Sequence, residues 1–193
     1  EGADVLVLSG DICVAKDLAF TESLRSEKWM KFFTHCSEQF KDVIYIMGNH
    51  EHYNGDFAKS YDQLRGALSE LPNIHVMEKE FITLGDVTFI CGTLWTDMNH
   101  NNPITEHYLM SGMNDFRIVK WKHDSYGGRF RPSDAAAFHR RTLKYFDEAS
   151  AGLDNVVIMS HHAPSFMSVH PKYHNDTQIN YGYYSNLDEF IID

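Results

Sequence analysis

Three short apolar runs punctuate the chain, and each breaks off into a polar cluster. Val5-Leu6-Val7-Leu8 stops at Ser9-Gly10-Asp11, Val43-Ile44-Tyr45-Ile46-Met47 stops at Gly48-Asn49-His50-Glu51, and Val156-Val157-Ile158-Met159 stops at Ser160-His161-His162. Runs with no polar interruption predict strands covered on both faces within a parallel or mixed sheet. Between them, apolar residues recur at helical spacing. Trp29, Phe32, Phe33, Cys36 and Phe40 mark a helix over 22–40, Phe57, Tyr61, Leu64, Leu68 and Leu71 one over 56–71, and Phe138, Leu143, Phe146 and Ala149 one over 132–151. Pro72-Asn73 stops the second of these, and Gly152 stands where a C-terminal cap is expected for the third.

Ile74 to Met77 reads as a further strand, and Phe81 to Leu84 and Val87 to Cys91 flank Gly85-Asp86 at the spacing of a tight hairpin. From Gly92 to Arg131 no long period emerges, although Asn102-Pro103 opens a short helix towards Met110. A connection of that length usually has a task such as walling a binding site. Its aromatics, Trp95, Tyr108, Phe116, Trp121, Tyr126 and Phe130, are expected to form a satellite core beneath it rather than to line a pocket. The alternation of strands and helices predicts one α/β domain over 1–193, without repeat, linker or low-complexity tract. From Asn186 a last helix begins with Leu187, Phe190 and Ile191, and its half-finished apolar stripe leads us to expect a truncated sequence.

Composition narrows the class. A hydrophobic share of 43% suits a globular domain with a substantial core, and a net charge of -10 disfavours nucleic acid as a partner, because phosphate neutralisation needs a Lys/Arg surface. No apolar run approaches membrane-spanning length and the first residues lack a signal-peptide pattern, so a cytoplasmic protein with no membrane partner is expected. Cys13, Cys36 and Cys91 are odd in number and lie in or beside apolar segments, as buried thiols do in a reducing compartment. Twelve histidines are many for 193 residues, which makes their positions informative.

In open α/β sheets ligands bind at the carboxyl ends of the strands, so Asp11, Asn49, His50, His161 and His162 can converge there from distant parts of the chain. A carboxylate can bridge two cations, and an amide oxygen with an imidazole nitrogen can complete a shell suited to Mn, Fe, Zn, Ni or Co. Each cluster alone has a plainer reading, as a Gly-Asp turn, an Asn-His loop or a hydrogen-bonded strand exit. Their succession, each after an apolar strand, favours a two-metal site. His170 and His174 share a spacing seen in some zinc sites but stand outside this pattern and are expected not to ligate.

Leu8-Ser9-Gly10-Asp11, Gly48-Asn49-His50-Glu51 and Ser160-His161-His162-Ala163-Pro164 resemble the second, third and fourth signature blocks of the calcineurin-like metallophosphoesterases. The resemblance spans nearly the whole chain. It implies a four-layer fold of two mixed β-sheets flanked by helices, and a binuclear centre hydrolysing phosphomonoesters or phosphodiesters with a metal-bridging hydroxide, Mn being the cation expected in vitro. Carried over by position, Asp11 bridges both metals, Asn49 and His161 bind the second, and His50 sits beside the phosphate with Glu51 orienting its ring. The family's first block, Asp-x-His, and its last, Gly-His-x-His, have no counterpart here, so the chain is expected to be incomplete at both ends and to bind metal poorly. Small phosphoesters or phosphoproteins are the implied substrates. A protein-binding scaffold with a degraded metal site is the competing reading, and the presence of Asp11, Asn49, His50 and His161 argues against it.

Overall fold

The computed structural model describes residues 2–121 and 128–192. Strands β1 (Val5–Leu8), β2 (Asp42–Ile46) and β3 (Ile74–Met77) form one sheet, in that order and all parallel. Strands β4 (Glu80–Leu84), β5 (Val87–Cys91) and β6 (Val156–Met159) form a second, in which β4 and β5 are an antiparallel hairpin and β6 joins β5 in parallel. The first sheet is therefore purely parallel and the second mixed.

Alternation along β2 shows how the layers stack, since successive side chains of a strand point to opposite faces. Val43 and Tyr45 pack into a core with Leu18, Phe33 and Leu64, whereas Ile44 and Ile46 pack with Cys91 and Met159 of the other sheet. Helices α1 (Ala15–Ala19), α2 (Leu24–Gln39) and α3 (Phe57–Ala67) cover the outer face of the first sheet, with the side chains of Ser23 and Asp56 accepting from backbone N–H groups at the starts of α2 and α3. The central strand β2 is buried on both faces as its unbroken apolar run predicts. The same expectation for β1 and β6 fails. Both lie at sheet edges, where Val7, Val157 and Ile158 are exposed, and an apolar run alone cannot tell an edge from a centre.

The long connection contains α4 (Pro103–Gly112), whose N-cap Asn102 accepts from Ile104 and Thr105, and α5 (Asp115–Ile118), which periodicity does not reveal. Met98–Asn101 forms a left-handed turn with φ of 53, 54, 56 and 58°. Its residues are largely Asn and His, the types that tolerate this region best. Trp95, Phe116 and Phe130 are buried in one cluster, with Trp121 packed on it, so the satellite-core expectation holds for these; Tyr108 is exposed and Tyr126 lies outside the described residues. Helix α6 (Pro132–Ser150) and the final α7 (Asp188–Ile192) flank the second sheet, Phe146 packing with Ile90 and Leu94.

All three cysteines are free and buried, and burial pushes the thiols of Cys13 and Cys91 up to about 12, which keeps them inert. Among the described residues no helix is long and apolar enough to cross a membrane.

His52 is buried with both ring nitrogens lacking a partner, its ring stacked 4.4 Å from that of Phe57. Burial lowers its pKa to about 3, below the 6.5 expected of an unfolded chain. The unfolded state therefore takes up the proton first. Stability tied to the neutral ring is complete above pH 6.5 and is lost as pH falls towards 3. Replacing His52 with Phe should flatten the fall of Tm across that window, as measured by thermal denaturation in a pH series; a slope equal to wild type would show that His52 does not carry the effect.

Candidate metal centre

The parallel register sets Leu8 against Tyr45, which brings the ends of β1 and β2 side by side. There the chain turns sharply, with Asp11 at φ 58°. This left-handed residue curls the backbone so that three successive N–H groups, those of Asp11, Ile12 and Cys13, point at one carboxylate, Glu51, at 2.9, 2.8 and 3.3 Å. Curled runs of N–H groups of this kind bind anions. Glu51 also accepts from Gly48 N at 2.7 Å and from the Tyr45 hydroxyl at 2.7 Å, and is fully buried.

This corrects one expectation. Glu51 does not orient the ring of His50; its two oxygens are engaged by the backbone of both loops and by Tyr45. His50–His52 form a 3-10 turn, in which consecutive side chains diverge by about 120°. Glu51 consequently points into the protein and His50 out of it. The imidazole of His50 is half-exposed, stands 4.3 Å from the ring of Tyr53, and has Nδ1 3.4 Å from Asp11 Oδ2.

From the second sheet, the pairing of Cys91 with Met159 carries the chain after β6 alongside Thr93, whose carbonyl accepts from His161 N at 3.3 Å. Glu78 accepts from Thr93 N at 2.9 Å, and Thr93 Oγ1 lies 2.7 Å from Glu78 Oε2 and 3.0 Å from Met47 O. These contacts lock the ends of the two sheets together. The ring of His161 reaches across to the first sheet: Nδ1 lies 2.7 Å from Ser9 O, and Nε2 lies 3.0 Å from Asn49 Oδ1 and 3.4 Å from Asp11 Oδ1. Asp11, Asn49 and His161 therefore meet, as the sequence predicts.

The protonation pattern follows from the partners. A carbonyl only accepts, so Nδ1 of His161 carries the hydrogen, and in the neutral ring Nε2 presents its lone pair. In that form Nε2 meets Asn49 Oδ1 and Asp11 Oδ1 as a third lone-pair donor, and Asp11 Oδ1 also accepts from His50 N at 3.0 Å. Donor atoms about 2.0–2.2 Å from a cation at right-angled or tetrahedral positions lie about 3.0–3.5 Å apart, and His161 Nε2 stands at such distances from Asn49 Oδ1 and Asp11 Oδ1. The residues thus fit a divalent cation. Among the described residues no three His, Cys, Asp or Glu side chains cluster as a cation site, and the third donor is the amide oxygen of Asn49.

Close packing leaves no room for side chains at the two glycines. A Cβ on Gly10 would stand 2.7 Å from His161 Nδ1, and one on Gly48 would stand 2.6 Å from His161 Cε1 and collide with Asp11 Oδ1. His162 turns away, buried, with its ring 5.1 Å from that of Trp95; burial lowers its pKa to about 3. His170 Nδ1 accepts from Lys172 N and His174 Nε2 lies 2.9 Å from Val169 O, so neither joins the site. Two residues to which the sequence assigned no role do join it. Asp115 Oδ1 is 2.5 Å from Asn49 Nδ2, and Tyr53 OH is 3.4 Å from both Asn49 Nδ2 and Asp115 Oδ2. Burial, foremost, raises the pKa of Asp115, and burial together with the adjacent Asp115 raises that of Tyr53.

Two facing sheets clothed by helices thus carry an oxygen and imidazole cluster at the strand ends. The calcineurin-like phosphoesterase family model matches residues 1–188, and the chain belongs to that family. It is 27% identical over 144 residues to an uncharacterized protein of Acanthamoeba polyphaga mimivirus, a match covering 70% of this chain and 50% of the viral protein. The chain thus spans about half the length of that curated relative. Its fold is similar to that of the phosphopantetheinyl hydrolase PptH from Mycobacterium tuberculosis, with a TM-score of 0.62 at 15% identity, covering 96% of this chain and 67% of the other.

The buried carboxylate of Glu51 predicts a large stability effect. Replacing Glu51 with Ala strands four backbone N–H groups and the Tyr45 hydroxyl and should lower unfolding free energy by about 3–5 kcal/mol, read from urea denaturation. A loss below about 1 kcal/mol would refute the clamp.

Proposed function

We propose that residues 1–193 form one phosphoesterase domain that hydrolyses phosphomonoesters or phosphodiesters with divalent cations, Asp11, Asn49 and His161 acting as ligands. The observation that carries this reading is the convergence of three potential ligand atoms from distant parts of the chain, His161 Nε2 standing 3.0 Å from Asn49 Oδ1 and 3.4 Å from Asp11 Oδ1, a spacing that a shared cation would suit. Two such cations, Mn in vitro, would supply the charge that draws phosphate oxygens and makes water a nucleophile near neutral pH.

The chain's own groups divide the remaining work. Asp11 Oδ1 faces the ring of His161 and accepts from His50 N, while Oδ2 faces the ring of His50, so the carboxylate could be shared between two cations. His161 is held by Ser9 O in the tautomer that leaves Nε2 free to ligate. His50, at the solvent rim and braced by the ring of Tyr53, donates to a phosphoryl oxygen or passes a proton to the departing alkoxide. Glu51 touches no substrate in this scheme; it holds Asp11 and the Gly48 loop at the separation the ligand set requires. The net charge of -10 favours small phosphoesters or phosphoproteins over nucleic acid as substrates.

The full chain should be assayed with Mn against a panel of mono- and diesters, including phosphopantetheinyl compounds because the structurally similar hydrolase acts on that group. Asp11→Ala should abolish turnover and weaken Mn binding. His50→Ala should lower kcat about 10²–10⁴-fold while Mn affinity, read by titration calorimetry, stays near wild type. Wild-type rates in both variants would defeat the mechanism.

A further inference from the structure

The usefulness of Asn49 as a ligand depends on a choice that its backbone does not make. The two ends of a carboxamide have nearly the same shape, so a half-turn of the side chain exchanges Oδ1 for Nδ2 at little steric cost. With Nδ2 turned towards His161, Asn49 would offer hydrogens where a lone pair is needed. The neighbour on the other side decides. Asp115 Oδ1 is 2.5 Å from Asn49 Nδ2, and Asp115 is buried at 3% exposure. An amide NH₂ can only donate, and a carboxylate oxygen pays no penalty in accepting from it, whereas the reversed amide would set two acceptors against each other. The Tyr53 hydroxyl, between the two side chains, accepts from Asn49 Nδ2 and donates to Asp115 Oδ2.

Asp115 reaches this position from outside the sheets. It opens the short helix α5, and the next residue, Phe116, is 1% exposed within the aromatic cluster with Trp95 and Phe130. The packing of Phe116 with Trp95 and Phe130 thereby fixes a carboxylate against a side chain on the loop after β2. We propose that Asp115 is a positioning residue for the cation site, selecting the rotamer of Asn49 that presents Oδ1 to Asp11 and His161. The proposal rests on the reading of Asn49 as a ligand. It gives the long connection a function that its aromatic content alone does not suggest.

The test is a thermodynamic cycle on Mn²⁺ affinity, measured on the full chain by electron paramagnetic resonance of the free ion, with near-ultraviolet circular dichroism to check the fold. Asp115→Leu, close in shape but unable to accept, should weaken binding about 10–100-fold. Asp115→Asn keeps an acceptor oxygen and should recover most of that loss. In an Asn49→Ala background, Asp115→Leu should have no further effect. Wild-type affinity in Asp115→Leu, or an equal loss in both backgrounds, overturns the proposal while leaving the ligand set intact. Wild-type affinity in Asp11→Ala and Asn49→Ala overturns the ligand set and the proposal with it. Should Asp115→Leu fail to fold, the unaltered protein supplies a second measurement, the hydrogen-exchange rate of the Asn49 side-chain NH₂ by NMR. Slow exchange supports the bond to Asp115, and exchange as fast as that of a solvent-exposed asparagine overturns it.

Discussion

The hydrogen bonding of a single buried carboxylate governs the geometry of this protein's strand ends. Glu51 belongs to the loop after β2, and its side chain takes N–H groups both from the turn after β1 and from Gly48 of its own loop. Backbone donors withdrawn from water must find acceptors, and here one side chain answers for both loops together. The left-handed twist at Asp11 follows from that requirement, because only a curled backbone can aim three successive N–H groups at one point. The same curl throws the Asp11 side chain to the opposite side, where Asn49 and His161 wait.

Around this point the fold supplies convergence without symmetry. The first sheet contributes Asp11 and Asn49 from neighbouring parallel strands, and the second contributes His161 across the inter-sheet gap. The join between Thr93, Glu78 and Met47 holds that gap to a fixed width. Behind the site, the rings of His162, Trp95 and His52 form a continuous wall leading into the aromatic cluster of the long connection. A polar edge is thus backed by aromatic packing.

Much of this was legible in the residues themselves. Unbroken apolar runs located β1, β2 and β6, and helical spacing located α2, α3 and α6 within a few residues of their ends. Asp11, Asn49, His50, His161 and His162 could be brought together because strand ends of α/β sheets share one edge, and the resemblance to the calcineurin-like family singled out Asp11, Asn49 and His161 among them. The role of Glu51 could not be read there, because the resemblance implied a partnership with His50, whereas the 3-10 turn points the two side chains apart. Nor could α1, α5 or the left-handed turn at Met98–Asn101, since four or five residues are too few to show a period. Edge exposure of Val7 and Val157 escaped for another reason: strand order depends on pairings between distant segments, which hydropathy does not encode.

The clamp joins positions about 40 apart, and the imidazole that completes the ligand set comes from 112 positions beyond its amide partner. No stretch of the unfolded chain can hold this arrangement in advance. Contacts so remote in sequence carry a high loop-closure cost, which the docking of the two sheets must offset. On the proposed reading, a cation captured there would act on the native state alone, tightening the docked sheets by mass action and making the chain's resistance to unfolding a function of the free ion concentration around it.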